Sequence, residues 1–260
     1  MGLRGLSALI LLSLALFAGV RPAAAQSGFN SGCILDRGQD RDDPNALRRG
    51  QPRPSPFPRQ GNAPRPGNAS TGNFDFYVLA LSWSSGFCAL NGNKRASDQC
   101  QSGSGLGFVV HGLWPQFEHG FPADCDPSSR PLSRQALDMT RGLFPDEGLA
   151  RYEWRKHGTC SGKAPTEYFA DVRAAFEQVR IPDNFKRIED DARMAPAEIT
   201  RAFEAANPRL RPGMMAVGCT RGVLQEVRIC MSKDLRDFRP CPEVVRDTCR
   251  ARDISVPPAL

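Results

Sequence analysis

The nine cysteines of this 260-residue chain constrain its fold more than any other feature. Disulfides form and persist in oxidising compartments, so a cysteine-rich exported domain is expected to be cross-linked. Because nine is an odd number, at least one thiol is unpaired or bonds to another molecule. We expect Cys33 to be that thiol, since it lies 55 residues before the next cysteine, Cys88. The other eight can form four bridges, and the sequence has no Cys-x2-Cys pair that would favour a zinc site.

The first 25 residues have the pattern of a secretory signal peptide. Residues 1–4 form a short basic start, residues 6–20 are apolar, and three alanines at 23–25 form a small-residue cleavage site. The apolar run is shorter than the roughly 20 residues that a membrane-spanning helix needs. We therefore predict that the mature protein is soluble, keeps no membrane anchor, and resides in the periplasm or outside the cell. An uncleaved N-terminal anchor is the alternative.

Residues 26–70 are predicted to form a disordered tail or linker rich in Pro, Arg and Gly. Within 49–67, Phe57 is the only large apolar residue, and such a segment cannot bury enough apolar surface to offset its ordering entropy. The tail carries seven arginines and four aspartates, and the signal segment carries two arginines. Of the net charge of +6, only one excess positive charge therefore belongs to residues 71–260. Net charge alone does not indicate a strong interaction of this domain with a polyanion.

Residues 71–260 are predicted to form one domain of ordinary size. Runs rich in aromatic and aliphatic side chains predict strands at 74–83, 106–110 and 224–231. Apolar spacings of three and four residues predict helices at 133–143 (capped by Ser133), 166–179 and 195–206. Because the helices lie between early and late strands, we predict an α+β fold with a central antiparallel sheet and helices packed around it.

The segment 152–160 reads Tyr-Glu-Trp-Arg-Lys-His-Gly-Thr-Cys and places an acid, a base and an imidazole within five residues. If this segment is helical, Glu153 lies three and four residues before Lys156 and His157, and such positions share one helix face. A single surface would then offer a carboxylate, an ammonium and a proton carrier to one substrate. A surface ion pair beside a histidine is the alternative interpretation.

A second candidate segment, His-Gly-Leu-Trp-Pro-Gln, lies at 111–116. His111 is predicted at a strand end, before a turn that contains Gly and Pro, where its side chain would project into a cleft. The alternative is a core histidine beside a packed Trp114. The chain has only three histidines, and two of them stand in these two segments.

Taken together, the two segments resemble the active-site segments of the ribonuclease T2 family of secreted endoribonucleases. One family segment reads His-Gly-Leu-Trp-Pro, present here at 111–115, and the other reads roughly His-Glu-x-x-Lys-His-Gly-Thr-Cys, matched here from Glu153 to Cys160. The Leu-Ser-Trp at 81–83, followed by Cys88, also looks like the end of the family's first strand. The resemblance implies a ribonuclease T2-like fold, and it makes 71–260 a catalytic domain that cleaves single-stranded RNA.

The resemblance also implies a reaction that needs neither a metal nor a cofactor. RNA cleavage requires a base for the 2′-hydroxyl proton and an acid for the leaving 5′-oxygen, and histidine suits both tasks because its pKa lies near ambient pH. By resemblance, His157 is the base and His111 the acid, and the products are a 2′,3′-cyclic phosphate and then a 3′-phosphate. Lys156 is suited to stabilising charge on the phosphoryl oxygens. Glu153 is suited to holding Lys156 or His157, or to hydrogen bonding with the phosphoryl group. We expect a monomer that needs no protein partner.

Three further residues are candidates for substrate binding. Many family members have a histidine implicated in phosphate binding at the position of Tyr152, and a tyrosine carries no positive charge near neutral pH. Trp114 is expected either to stack on a base or to pack in the core. Gln116 occupies a position where some relatives carry an acidic base-binding residue. Phe117 and His119 are also near, although a histidine at the loop position of His119 is more often a bystander.

The resemblance pairs Cys125 with Cys160, which would tether the loop after His111 to the segment that carries His157. It also pairs Cys219 with Cys249. Closeness in sequence alone suggests the two remaining pairs, Cys88–Cys100 and Cys230–Cys241. Eight cysteines allow 105 pairings, so the sequence does not fix this connectivity.

Two other functions are compatible with the sequence. The same fold could bind RNA or another polyanion without turnover, although the presence of both histidines and Lys156 favours catalysis. A secreted metallohydrolase could instead use the three histidines with Glu153. The histidine spacings of eight and 38 residues match no common metal motif, and disulfides would occupy the cysteine ligands.

Overall fold

The computed structural model describes residues 71–91 and 98–260. The predicted signal peptide at 1–25, the predicted tail at 26–70 and Cys33 lie outside the described residues. Within the two described ranges, no helix is both long enough and apolar enough to cross a membrane.

The strands of the described residues form a single sheet with helices around it. The strands are β1 (Phe76–Trp83), β2 (Phe108–Gln116), β3 (Ala192–Met194), β4 (Met215–Thr220), β5 (Val223–Ser232) and β6 (Ile254–Val256). The strand order is β2-β1-β5-β6-β3, and β4 also pairs with β5. The helices are α1 (Ser84–Asn91), α2 (Arg134–Asp138), α3 (Glu147–Lys156), α4 (Pro165–Glu177), α5 (Pro196–Ala206) and α6 (Pro242–Arg246). The predicted α+β class is confirmed. The sheet is mixed, because the pairing of β5 with β6 is parallel and the others are antiparallel.

Strand β1 is buried along its whole length and is apolar except for Ser82, as expected for a strand covered on both faces and in contrast to one that alternates with polar residues. Alternate residues from Tyr77 to Trp83 belong to the main core, together with apolar side chains of α3, α4 and α5. Phe76 and Val78, on the other face, belong to a smaller cluster that contains Cys230 of β5 and Cys241, the residue before α6.

Helix α2 is shorter than the helix predicted at 133–143. Ser133 caps it as predicted, because its hydroxyl accepts a hydrogen bond from the N–H of Ala136 at 3.2 Å. Thr140 then donates to the carbonyl of Leu137 through both its backbone N–H, at 3.0 Å, and its hydroxyl, at 2.7 Å. This tight i to i−3 pattern ends the α-helix early.

Helices α4 and α5 occupy the positions predicted at 166–179 and 195–206. Each begins with proline. Proline lacks an N–H, which costs nothing here because an N–H in the first turn of a helix has no partner within the helix. In each, a glutamate of the first turn accepts a hydrogen bond from the backbone N–H before the proline, at 3.0 Å for Glu167 and 2.8 Å for Glu198. The sequence therefore defines both helix starts through local hydrogen bonding.

Disulfides cross-link this domain and join the pairs Cys88–Cys100, Cys125–Cys160, Cys219–Cys249 and Cys230–Cys241. These are the four pairs expected from the sequence. The bridge between Cys125 and Cys160 connects the loop after β2 to the short 3-10 turn that follows α3. It therefore joins the two segments that carry the candidate histidines.

Candidate active site

His111 lies within β2 and not at its end, which corrects the sequence prediction. On β1, Ala80 pairs with Gly112 and the next residue, Leu81, pairs with Val110, so that His111 is left without a partner on β1. This arrangement of an extra residue on one strand is a β-bulge, which re-aims a side chain relative to the regular alternation of the strand.

Strand β2 continues through Pro115 to Gln116, where the sequence predicted a turn. It lies at the edge of the sheet, and an edge strand tolerates proline because the missing N–H interrupts no second ladder of hydrogen bonds. The continuation holds Trp114 rigidly beside the bulge. The rings of His111 and Trp114 make an edge-to-face contact with centroids 5.2 Å apart.

Helix α3 carries the second segment and ends just before its histidine. Asp146 caps the helix start by accepting a hydrogen bond from the N–H of Leu149 at 2.8 Å. The last helical residue is Lys156, and His157 follows as the C-cap with φ of −125°. The N–H of His157 still donates to the carbonyl of Glu153 at 2.9 Å. The helix therefore fixes the backbone of His157 at its end.

Glu153 connects the two segments. Its side chain is only 1% exposed, and its Oε2 accepts a hydrogen bond of 2.7 Å from Nε1 of Trp114. Its Oε1 lies 3.8 Å from Nε2 of His111. Burial raises the pKa of the Glu153 carboxyl to about 7, and the opposing effects of His111, the Trp114 hydrogen bond and Lys156 do not offset that burial. Glu153 is therefore a buried carboxyl group that is partly protonated near neutral pH.

Gly112 is required for this connection. A Cβ atom at Gly112 would overlap both Oε2 of Glu153 and Nε1 of Trp114. The glycine of the His-Gly-Leu-Trp-Pro segment therefore leaves space for the hydrogen bond between the two segments, and its role here is close approach and not backbone flexibility.

His111 is held by a second carboxylate that the sequence analysis did not identify. Nδ1 of His111 lies 2.9 Å from Oε2 of Glu226 on β5. Burial lowers the pKa of His111, but the hydrogen bond and charge of Glu226 and the charge of Glu153 outweigh it, so that the pKa lies above its usual value. About a third of the His111 side chain is exposed, at 33%. The surroundings of His111 therefore favour its protonated form more than water does, and solvent and substrate can reach the ring.

His157 has the opposite electrostatic character. Burial, and the positive charges of His111 and Lys156, lower the pKa of His157 to about 3. Its Nδ1 is buried and has no hydrogen-bond partner among the described residues. Its ring centroid lies 5.3 Å from that of Trp114 and 6.3 Å from that of Phe121. His157 is therefore a neutral imidazole between two aromatic side chains.

Lys156 is paired with Asp124 and not with Glu153. Its Nζ lies 2.6 Å from Oδ2 of Asp124, and its carbonyl accepts a hydrogen bond of 2.8 Å from the backbone N–H of the same residue. Asp124 adopts a left-handed backbone conformation with φ of 52° and directly precedes Cys125, whose disulfide leads to Cys160. Two hydrogen bonds and a disulfide therefore fix the end of α3 against the loop after β2.

The other predicted site residues, Tyr152, Gln116 and His119, differ in their exposure and in the groups that they contact. Tyr152 is half-buried on α3. Gln116 ends β2 and donates its side-chain hydrogen bond to the carbonyl of Pro115 at 3.0 Å. His119 is 91% exposed and pairs with Glu243 at 3.2 Å, which agrees with its expected role as a bystander.

Three functional candidates were missed by sequence reasoning: Phe121, Glu226 and Arg228. Phe121 is an exposed large hydrophobic side chain, at 48% exposure, and an exposed aromatic residue in a loop after a candidate catalytic segment could have been noticed. Glu226 and Arg228 alternate with apolar residues in the predicted late strand. Two charges at that spacing share one sheet face, and this signal could have placed them together.

Among the residues that the structure describes, no three His, Cys, Asp or Glu side chains are arranged to hold a metal ion. The structure brings together His111, Trp114, Glu153 and His157, and it places Lys156 at the end of the same helix. A phosphodiester bound here would meet two imidazoles, one whose pKa is raised and one whose pKa is lowered. The arrangement is therefore suited to acid–base chemistry.

The family model of the ribonuclease T2 family matches residues 74–241, so the chain belongs to that family. It is an RNA endonuclease by this membership and by its similarity to curated ribonucleases. It is 36% identical to a ribonuclease of Aeromonas hydrophila over 66% of this chain and 78% of the relative. It is also 28% identical to ribonuclease DdI of Dictyostelium discoideum over 70% of this chain and 84% of the relative.

A solved structure gives the same fold. A mutant of RNase MC1, crystallised in complex with 5′-UMP, is similar over 70% of this chain and 97% of its own length, with a TM-score of 0.56 and 20% identity. RNase MC1 comes from the seeds of bitter gourd. At this level of identity the similarity supports the fold alone.

Proposed function

We propose that this protein is an exported endoribonuclease that cleaves single-stranded RNA by metal-independent transphosphorylation. The observation that carries the proposal is a pair of imidazoles that both contact Trp114 and lie in opposite electrostatic surroundings. The pKa of His111 is raised above its usual value, whereas that of His157 is lowered to about 3. One ring is therefore suited to donating a proton and the other to accepting one.

In the first step, His157 accepts the proton of the 2′-hydroxyl while the 2′-oxygen attacks the phosphorus. His111 donates its Nε2 proton to the leaving 5′-oxygen, so the products are a 2′,3′-cyclic phosphate and a free 5′-hydroxyl. The negative charge of a bound phosphodiester raises the pKa of a nearby imidazole, which would make His157 a stronger base in the complex. In the second step, the two residues exchange roles and water opens the cyclic phosphate to a 3′-phosphate.

Lys156 and Glu153 would act on the phosphoryl group. The Lys156 ammonium would stabilise the negative charge that develops on the phosphoryl oxygens, after exchanging part of its interaction with Asp124 for the substrate. Because burial raises the pKa of Glu153 to about 7, its carboxyl is protonated in much of the acidic to neutral range. It could then donate a hydrogen bond to a phosphoryl oxygen, while Trp114 keeps it in place.

The bases of the RNA would bind along the aromatic side of the cleft. Trp114 and Phe121 both lie beside His157, and stacking of a base on an aromatic ring is tolerant of sequence. Gln116 lies two residues further along β2 and offers hydrogen-bonding groups to a base edge. Tyr152 would contact phosphate through its hydroxyl, in place of the histidine that many family members have there.

We further propose that the protein acts as a monomer in the periplasm or outside the cell. The sequence pattern at 1–25 supports export, and four disulfides in the described domain are compatible with an oxidising compartment.

The test is digestion of a defined single-stranded RNA in excess EDTA, with detection of cyclic phosphate ends. His111→Ala and His157→Ala should each lower kcat by about a hundredfold or more, the usual range for loss of a general acid or base. His119→Ala is the matched control, because His119 is exposed and paired outside the cleft, and it should retain wild-type activity.

Three results would contradict the proposal. Loss of activity in EDTA would favour the metallohydrolase, and binding of RNA without any cleavage would favour the binding protein. Near-normal activity of both His111→Ala and His157→Ala would show that the two roles are assigned to the wrong residues.

A further inference from the structure

Strand β5 carries an ion pair beside His111, in which Glu226 is buried and Arg228 is half-buried. The Glu226 side chain lies opposite Ser82 of β1 and Gly218 of β4 in the sheet register. A Cβ atom at Gly218 would approach Cγ of Glu226 to 3.0 Å, so glycine at 218 leaves room for this carboxylate. The sheet therefore accommodates Glu226 at the back of the cleft.

The two carboxylate oxygens of Glu226 have different partners. Oε2 faces Nδ1 of His111 at 2.9 Å, whereas Oε1 receives both Nε and Nη2 of Arg228 at 2.7 Å. The Arg228 guanidinium in turn lies 5.6 Å from the ring centroid of Trp114. Burial would raise the pKa of Glu226, but the hydrogen bond to His111 and the charge of Arg228 lower it to about 2. Glu226 is therefore ionised wherever His111 can titrate.

Four charged or titratable groups face the His111 ring. Glu226 and Arg228 approach it from β5, Glu153 approaches from α3, and His157 lies just past the end of α3. Glu226 and Glu153 raise the pKa of His111, and Arg228 lowers it. Of the two carboxylates, Glu226 is the one at hydrogen-bonding distance, since Glu153 lies 3.8 Å from Nε2.

We propose that Glu226 is a positioning residue for His111 and that the Arg228 guanidinium, bound to the other carboxylate oxygen, moderates the charge that Glu226 presents to the ring. Glu226 accepts the Nδ1–H, so that Nε2 is the nitrogen that carries the transferable proton toward the cleft. When Nε2 gives its proton to the leaving 5′-oxygen, the neutral ring keeps its Nδ1–H bonded to Glu226, and its orientation is unchanged for the second step. A carboxylate that orients a histidine in this way is a known device of acid–base sites. The catalytic part of the proposal rests on the proposed function, whereas the control of His111 protonation does not.

The test is the titration of His111 by NMR in Glu226→Gln, which keeps the size and a hydrogen-bond acceptor but removes the charge. The chain has three histidines, so their ring signals can be assigned with single variants. Loss of an opposite charge at this distance should lower the pKa of His111 by about one to three units. Glu243→Gln is the matched control, because it removes the charge of a carboxylate that pairs with His119 at the surface. It should leave the pKa of His111 unchanged.

Arg228→Met is a second variant, for which the expected shift of the His111 pKa has the opposite sign. Removing the Arg228 charge should raise the pKa of His111, since that charge lowers it. General loss of structure would move both variants in the same direction, toward the pKa of an exposed histidine. Shifts of the His111 pKa in opposite directions would therefore show electrostatic control and not structural damage, even if one variant is less stable.

The kinetic consequence is a shift of the alkaline limb of kcat/KM. In Glu226→Gln this limb should move to lower pH by the same amount as the NMR pKa, with kcat reduced about tenfold or more and KM changed less. Unchanged pKa values of His111 in both variants would overturn the proposal. If the wild-type protein does not cleave RNA, the proposed function fails, yet the NMR titration still decides whether Glu226 controls His111.

Discussion

Trp114 donates a 2.7 Å hydrogen bond from its indole Nε1 to Oε2 of Glu153 and thereby links two segments that lie 39 residues apart in sequence. The tryptophan sits on the sheet edge and the glutamate on a helix, and the two histidines flank this link. The indole therefore has a structural task that is separate from any stacking on a base.

We expect Trp114→Phe to destabilise the protein more at alkaline than at acidic pH. The substitution removes the hydrogen bond to the buried Glu153 carboxyl, and a buried charged group without its partner costs about 1–3 kcal/mol or more. The cost falls when Glu153 is protonated, below its pKa of about 7. Urea unfolding at a pH on each side of that value measures the difference.

Trp154→Phe is the matched control for this prediction. Trp154 lies one residue after Glu153, and its buried Nε1 has no hydrogen-bond partner among the described residues. Its replacement should alter stability by a similar amount at both pH values. If Trp114→Phe showed no more pH dependence than this control, the hydrogen bond would not matter for Glu153.

Gly112→Ala should disrupt the site without unfolding the sheet. The new Cβ would overlap Glu153 and Trp114, so one of them must move, and overpacking of this kind typically costs about 1–3 kcal/mol. We expect kcat/KM on RNA to fall at least tenfold while the cooperative unfolding transition is retained. Gly107→Ala, whose Cβ would meet only Trp83 at 3.3 Å, should keep its activity. Equal activity of the two variants would contradict the assigned role of Gly112.

Tyr152→His should strengthen phosphate binding. The tyrosine hydroxyl can donate a hydrogen bond but carries no positive charge near neutral pH, whereas a histidine can carry one. We therefore expect KM for RNA to decrease more than kcat changes, and the effect to grow as the pH is lowered toward 6. Steady-state kinetics at two pH values would measure it. An unchanged KM at both would contradict the role of position 152 in binding phosphate.

Acid should destabilise the fold mainly below about pH 4.5. In the folded state the pKa of His157 is lowered from 6.5 to about 3, and that of Glu226 from 4.5 to about 2. The unfolded chain therefore binds more protons in acid, and the stability of the fold decreases as the pH decreases. The pKa of Glu153 is raised from 4.5 to about 7, so protonation of Glu153 stabilises the fold as the pH falls between these two values. This gain offsets the loss of stability from His157 in the same range. Below that range the stabilisation from Glu153 no longer increases, so the losses from His157 and Glu226 are unopposed and the free energy of unfolding should drop.

His157→Gln separates these two contributions. Without His157, the Glu153 effect is unopposed, so the variant should become more stable as the pH falls from about 7 to 4.5. Denaturant unfolding across this range, compared with the wild-type protein, measures the change. Parallel stability curves for the two proteins would show that burial of neutral His157 does not govern the acid response.

The disulfide between Cys125 and Cys160 should affect activity as well as stability. Its removal by a double alanine substitution opens a loop of 35 residues and should cost about 3–4 kcal/mol. It also frees the loop that holds Lys156, so KM on RNA should rise. Removal of Cys88–Cys100, which lies outside the cleft, should lower stability with little change in KM. Equal KM values for both double variants would contradict this coupling.

The sequence predicted the class of fold, the two segments that meet at the candidate site, and the helices α4 and α5, because these features depend on local patterns. It did not predict that His111 lies at a bulge inside β2, since a bulge depends on the register between two strands. Glu226 was missed for a similar reason. Its partner, His111, lies 115 residues away in sequence and is brought close only because β5 and β2 both flank β1.

The ion pair of Lys156 with Asp124 shows the same limit. The spacing of Glu153 and Lys156 favours a pair within the helix, but burial of Glu153 and the loop carrying Cys125 give Lys156 a different partner. Helical spacing predicts which side chains share a face, whereas tertiary contacts decide which of them pair.

The most direct test of the account is cleavage of an RNA that carries a single 2′-deoxynucleotide, in excess EDTA. The 2′-hydroxyl is the nucleophile in the proposed reaction, so we predict that the linkage after the deoxynucleotide stays intact while neighbouring linkages yield 2′,3′-cyclic phosphate ends. Cleavage at the deoxy linkage, or products with 5′-phosphate ends, would contradict transphosphorylation by His111 and His157.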